Sequence, residues 1–180
     1  MPPSCALLFE DETIIRLLPN IRRAWSLKGE QGKIDITGRN DQRVIFGTIN
    51  LSTGHRIAIV ERYMRQQGFQ CLLKQVRRIY KGRPVWMLLD NATSHKTIES
   101  LALARLLNIT LIWLPKQCPE LNAMDQLWRS LKADISANYQ YKDVEQHARA
   151  AIDYMLNLSN KTAMLKAGLL SKHFWLKAFL

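Results

Sequence analysis

With 180 residues, 47% of them hydrophobic, the chain can bury one ordinary core and is short for two. Its 26 Lys and Arg against 15 Asp and Glu leave a formal charge of +11, the first item in the footprint of a protein with a polyanionic partner. The sequence has no long apolar run, no basic-then-apolar leader and no C-x-x-C pair among Cys5, Cys71 and Cys118, so membrane insertion, secretion, a disulfide framework and structural zinc are not expected, and a cytoplasmic location is.

In chain order, CALLFE (5–10) and IIRLL (14–18) flank Asp11, Glu12 and Thr13 and predict a hairpin or a strand with a bent continuation. RVIFGTINL (43–51) and HRIAIVE (55–61), joined by Ser52-Thr53-Gly54, predict a second hairpin. From Tyr63 to Tyr80 the period turns helical, with Phe69, Leu72, Leu73, Val76 and Ile79 on one side and Lys74, Arg77, Arg78 and Lys81 on the other. VWMLLD (85–90) is apolar on both faces until its last residue, as a central parallel strand is.

A helix over 96–107 and a second doubly apolar strand, TLIWLP (110–115), follow. Beyond KQCPELN, the residues Met124, Leu127, Trp128, Leu131 and Ile135 form one helical stripe. Asp143 reads as the N-cap of a helix through Met155, and a last helical segment spans about 161–179. The order β-β-β-β-α-β-α-β-α-α predicts an α/β domain, a mixed sheet with helices on its faces.

Functional groups in open α/β sheets collect at the carboxyl ends of strands. Asp90 sits at such an end, Asp11 closes the first strand, and Asp125 lies early on the helix after the last strand, off the apolar stripe and beside Arg129 and Lys132. Three carboxylates gathered at one rim repel one another unless a cation compensates them. Mg²⁺ takes hard oxygen ligands, and two such ions can serve in-line phosphoryl displacement, a chemistry that suits a basic protein with a phosphodiester partner. Each acid also has a plainer explanation: Asp90-Asn91 as a loop opener, Asp125 as the acid of a capping-box-like start, Asp11 as part of a polar turn.

The wording around the acids separates these explanations. FEDET (9–13), then Trp25 and Gly29, LLDNATSHK (88–96) and LPKQCPELNAMDQLWRSLK (114–132) resemble the catalytic domain of DDE transposases of the mariner-like superfamily, in the bacterial insertion-sequence branch. Thirty-four residues separate Asp90 from Asp125, a spacing common in that superfamily. The resemblance spans nearly the whole chain and implies a ribonuclease-H-like fold with a five-stranded mixed sheet, here as a single domain over 1–180. It implies that Asp11, Asp90 and Asp125 hold two Mg²⁺ or Mn²⁺ ions. The implied reaction is hydrolysis at transposon ends followed by attack of the freed 3′-hydroxyl on target DNA, in the bacterial cytosol or nucleoid.

The chain departs from that pattern in two ways. Many relatives in this branch carry Glu as the third acid and Pro two residues earlier, where this sequence has Asp125 and Ala123. Asp is the third acid in mariner proteins proper, and its shorter stem requires the helix to sit closer to the metal. Such transposases also carry helix-turn-helix domains before the first acid, whereas ten residues precede Asp11. The expectation is therefore a catalytic part alone, as a cut piece, a split-frame product or a decayed element. Its partners are then double-stranded DNA, a second copy of the chain on that DNA, and a separate helix-turn-helix polypeptide.

His95 is a candidate for contact with the scissile phosphate or for support of the site from behind, against the plainer reading of a loop histidine. Asn91 and Asn122 are candidates for hydrogen bonds to the acids, or helix caps. Strand alternation sends Glu12 to the face opposite Asp11, which favours Asp11 as ligand. Lys74, Arg77, Arg78 and Lys81 are a candidate phosphate track, joined by Arg129 and Lys132, although a solvated face is commoner for such spacing. Trp113 and Trp128 lie in apolar patterns and read as core. Phe174, Trp175, Leu176, Phe179 and Leu180 read as a tail packed on the sheet or a second subunit. Two other functions fit the same sequence: an inactive remnant that binds DNA through its charge, and another nuclease of the ribonuclease-H-like group.

Overall fold

The computed structural model describes residues 4–30 and 32–179, with side chains through Lys177. Strands β1 (Ala6–Arg16), β2 (Gln42–Asn50), β3 (Arg56–Glu61), β4 (Val85–Leu89) and β5 (Ile109–Trp113) form one sheet in the order β3-β2-β1-β4-β5. β2 pairs antiparallel with β1 and β3, while β4 pairs parallel with β1 and β5, so the sheet is mixed as expected. The two parallel crossovers run through α1 (Gln66–Ile79) and α2 (Ile98–Leu106), followed by α3 (Ala123–Ile135), α4 (Val144–Asn157) and α5 (Asn160–Lys166).

Each face of the sheet has its own core. On one, Phe69, Leu72, Leu73 and Val76 of α1 pack on Leu8, Phe46 and Met87. On the other, Met124, Leu127, Trp128 and Leu131 of α3 pack on Phe9, Ile45 and Ile49. The stripes read from sequence are the buried faces except at Ile79, which is exposed at the end of α1, because a helix covers the sheet with the residues that recur at its own period. Asp143 caps α4 by accepting a hydrogen bond from the Gln146 N–H at 2.7 Å. The buried Arg56 guanidinium donates from Nε to the Met155 carbonyl at 2.9 Å and from Nη1 to Asn160 Oδ1 at 2.8 Å, which fastens the end of α4 and the start of α5 to β3.

Two expected elements differ. Of the two forms expected over 5–18, a hairpin or a strand with a bent continuation, the hairpin does not form: β1 runs through Asp11-Glu12-Thr13, paired to β2 from Leu8↔Asn50 to Arg16↔Gln42. The acids suit a strand because alternation gives each a destination, Asp11 on the α3 face and Glu10 and Glu12 on the α1 face. The final helical segment is also broken. α5 ends at Lys166, Gly168 adopts φ +72°, and the chain returns to end in a 3₁₀ turn at Trp175–Phe179. Phe174, Trp175 and Leu176 pack on the α3-side core, and Trp175 Nε1 donates to the Leu121 carbonyl at 3.0 Å. The side chains of Phe179 and Leu180 lie outside the described residues.

Gly47 decides how closely α3 approaches the sheet. It pairs with Asp11, and a Cβ there would lie 2.7 Å from Trp128 Cη2 and 3.0 Å from Met124 Cε. The bare backbone lets the Trp128 ring lie on the strand, which draws the first turn of α3, and Asp125 with it, toward β1. Gly47→Ala is expected to push α3 outward and cost about 1–3 kcal/mol, read as a lowered denaturation midpoint at unchanged m-value. A midpoint equal to that of the wild type would show that Trp128 moves aside freely.

Candidate active site

Asp90 follows the last residue of β4, where the strand leaves the core. Its Oδ1 accepts a hydrogen bond from the Ala92 N–H at 2.8 Å, so it does open the loop as an Asx turn. That turn also directs the chain away, and Asp90 remains exposed at the sheet rim. Asn91 donates to the Leu114 carbonyl at 2.5 Å and accepts from Lys96 Nζ, which ties the exits of β4 and β5 together. Asn122 caps α3 by accepting from the Met124 N–H at 3.1 Å, and its Nδ2 donates to the Glu10 carbonyl at 2.7 Å. One side chain thus starts α3 and pins it to β1.

These ties bring three segments to one cleft of about 450 Å³, lined among others by Asp11, Asp90, Asn91, Lys116, Asn122 and Asp125. Burial, and then the charges of Glu12, Asp90 and Asp125, push the Asp11 carboxyl up to about 8. Asp125 Oδ2 is buried without a hydrogen bond, although Arg129 Nε lies 2.9 Å away as an ion-pair partner. Lys132 is half-buried beside both Asp11 and Asp125; desolvation pulls its amine down and the two carboxylates pull it up. A set of oxygens this short of positive charge suits a hard divalent cation.

His95, fully buried, belongs to a second cluster. Its Nε2 contacts Glu12 Oε1 at 2.9 Å and lies 3.6 Å from Glu10 Oε2, and its Nδ1 lies 3.1 Å from Asp90 Oδ1. The Nδ1 contact is an ion pair with bent geometry rather than a straight hydrogen bond. Burial alone would lower the imidazole pKa, but Glu10, Asp90 and Glu12 together raise it to about 11. The same contact with His95, before the Ala92 N–H, holds Asp90 below the ordinary carboxylate range. Among the described residues, Glu10, Glu12 and His95 are the group whose ligand atoms all lie within 4.8 Å of one another; the three aspartates do not gather that tightly.

The basic helix face lies elsewhere. The last turn of α1 leads into the start of β4, at the sheet edge opposite Asp90. Arg77 donates to the carbonyls of Leu107, Tyr80, Arg83 and Asn108, so its guanidinium closes the ends of α1 and α2. Arg83, at the same edge, donates to the Ser4 carbonyl. Lys74, Arg78 and Lys81 are exposed there and are not brought together with the aspartates. The cations near the cleft are instead Lys96, Lys116, Arg129 and Lys132. Lys116 escaped the sequence reading because it stands in a loop without period; its place directly after a strand and Pro115 was the available signal. Trp128 is core, whereas Trp25 is fully exposed in the long segment between β1 and β2.

A family model described as DDE superfamily endonuclease matches residues 6–147, a stretch that contains all three aspartates. The chain belongs to the DDE superfamily endonucleases. This DDE endonuclease chain is 26% identical over 155 residues to the insertion element IS630 uncharacterized 39 kDa protein of Shigella sonnei, covering 85% of this chain and 45% of that protein. It superposes on the mariner Mos1 paired end complex with Mg at a TM-score of 0.73 and 14% identity, over 95% of this chain and 54% of that one. The Mos1 transposase catalytic domain with Raltegravir and Mg matches at a TM-score of 0.61, over 93% of this chain and 79% of that one. These likenesses bear out the ribonuclease-H-like fold expected from the sequence. The DDE endonuclease chain spans about half the length of the insertion-element protein and of the Mos1 paired-end chain. No helix among its described residues is long and apolar enough to cross a membrane.

Proposed function

We propose that the chain is the catalytic part of an insertion-element transposase, which cleaves DNA at the element's ends and joins the freed 3′-hydroxyl to a target duplex. The observation that carries this is the convergence of Asp11, Asp90 and Asp125, from three separate segments, on one cleft at the carboxyl edge of the parallel strands. Asp11, Asp90 and Asp125 would hold Mg²⁺ or Mn²⁺, two ions for the full reaction, and bound there such ions lower the pKa of the attacking water or hydroxyl and neutralise charge on the leaving oxygen. Neighbouring structures are described as Mos1 complexes with Mg, with Mn and with a left transposon end, which supports both the metal and the DNA.

The protein's own side chains do the positioning. Asn91 and Asn122 hold the β4 exit and the start of α3 in place around the cleft. Lys132, drawn toward Asp11 and Asp125, and Lys116 on the cleft wall supply cations for phosphate oxygens. The surplus of positive charge attracts the duplex without sequence preference, so end recognition belongs to a helix-turn-helix region or polypeptide beyond this domain. Joining two ends requires two copies of the chain on the DNA.

A strand-transfer assay tests the proposal. A labelled duplex with a recessed 3′-hydroxyl, incubated with the chain, plasmid and Mn²⁺, is expected to give joined product that EDTA abolishes. DNA binding that weakens with salt, with neither joining nor nicking at any metal concentration, would reduce the chain to a basic DNA-binding remnant. Nicking without joining would make it another nuclease of the same fold.

A further inference from the structure

Glu12 does not line the cleft of the three aspartates, yet it reaches one of them, Asp90, through one histidine. Alternation along β1 turns Asp11 toward α3 and sends Glu10 and Glu12 through to the α1 face, where His95 is sealed beneath Phe69, ring centroids 4.4 Å apart. His95 then presents Nε2 to Glu12 and Nδ1 to Asp90, with Glu10 as a second carboxylate beside Nε2. An imidazole with carboxylate oxygens at both nitrogens has a proton to offer each, and a buried ring held this way cannot turn without leaving carboxylates uncompensated.

We propose that Glu12 and His95 form a buried strut that fixes the Asp90 carboxylate, making both of them positioning residues for the metal site. The strut engages Oδ1 of Asp90, together with the Ala92 N–H; among the described residues no hydrogen bond or ion pair takes up Oδ2, which leaves it for a cation. Asp90 needs this support because it stands on an exposed loop just past the strand end, where its side chain would otherwise sample several rotamers. Outer contacts of this kind orient ligating carboxylates, and their loss costs roughly 10–100-fold in metal affinity. The inference rests on the reading of Asp90 as a metal ligand.

The test is Mn²⁺ affinity by calorimetry, with melting temperature as the folding control, on the wild-type chain and on Glu12→Ala, Glu12→Gln, His95→Gln and Asp90→Ala. Glu12→Ala and His95→Gln are each expected to bind Mn²⁺ roughly 10–100-fold more weakly. Glu12→Gln, which keeps an acceptor at the same reach, is expected to recover part of the loss, which a purely structural role would not predict. If Glu12→Ala does not fold, the longer, more flexible amide of His95→Gln carries the test. Folded Glu12→Ala or His95→Gln protein that binds like the wild type, beside an Asp90→Ala that does not bind, would overturn the strut and leave the cleft reading standing. Undiminished binding in Asp90→Ala would overturn both, and loss of that binding in Glu10→Gln would identify the buried cluster as the ion site instead.

Discussion

Asp90→Ala is expected to lose metal-dependent nicking of supercoiled plasmid by about 10³-fold or more, because a ligand of the catalytic ion supplies several kcal/mol of transition-state stabilisation and each 1.4 kcal/mol is a factor of ten. The same change should hardly affect the fold. Asp90 is exposed, and what the substitution removes is one turn hydrogen bond and an ion pair to His95, worth about 1 kcal/mol, or a melting shift of roughly 2–4 °C in a domain of this size. It also lifts part of the repulsion on Asp11, which Asp90 helps to raise. Activity and stability are thus expected to separate. A variant that nicks at the wild-type rate would leave Asp90 as a loop residue, and a variant that unfolds would show that the turn matters more than the cleft.

The metal-free protein is expected to lose stability as pH rises from about 4 to 8. Asp11 has a folded-state value of about 8, above its unfolded value, so the folded chain holds the extra proton throughout that window and its ionisation opposes folding. Burial moves Glu10 the same way. The raised value of His95, about 11, gives a contribution that is complete below the ordinary histidine range and fades as pH climbs toward 11. All three slopes have one sign; His55 and His147, both lowered by burial, oppose them below the ordinary histidine value, and Asp90 and Asp134, both held low, act only in acid. Mn²⁺ favours the ionised Asp11, so its apparent affinity should rise about tenfold per pH unit up to pH 8, with one proton released. Calorimetry in two buffers of different ionisation enthalpy measures that proton. An affinity that stays level between about pH 6 and 8 would mean that Asp11 is already ionised without the ion.

Much of this organisation could be read along the chain, for identifiable reasons. The helix stripes, the doubly apolar β4 and β5, and the caps at Asn122 and Asp143 are local patterns, and local patterns survive folding when they agree with the final packing. The hairpin weighed at Asp11-Glu12-Thr13, beside a strand with a bent continuation, does not form; three consecutive polar residues only look like a loop. What keeps them in a strand is a pair of destinations on opposite faces, one of which, His95, lies 83 residues away from Glu12. The basic face of α1 was legible as a periodicity, but periodicity carries no information about which end of the sheet it decorates.

Residue types and their spacing thus settled the layers of the domain and its positive charge, because burial and hydrogen-bonding demands repeat at the period of each element, while the three acids worth testing stood out through the family resemblance of the phrases around them. Only the tertiary structure could bring β1, the β4 exit and α3 around one cleft. It also commits Arg77 to carbonyls rather than solvent, and places a histidine between Glu12 and Asp90. Those outcomes depend on contacts between residues far apart in sequence, set by a close approach such as Trp128 over Gly47. No local preference of the chain encodes that approach.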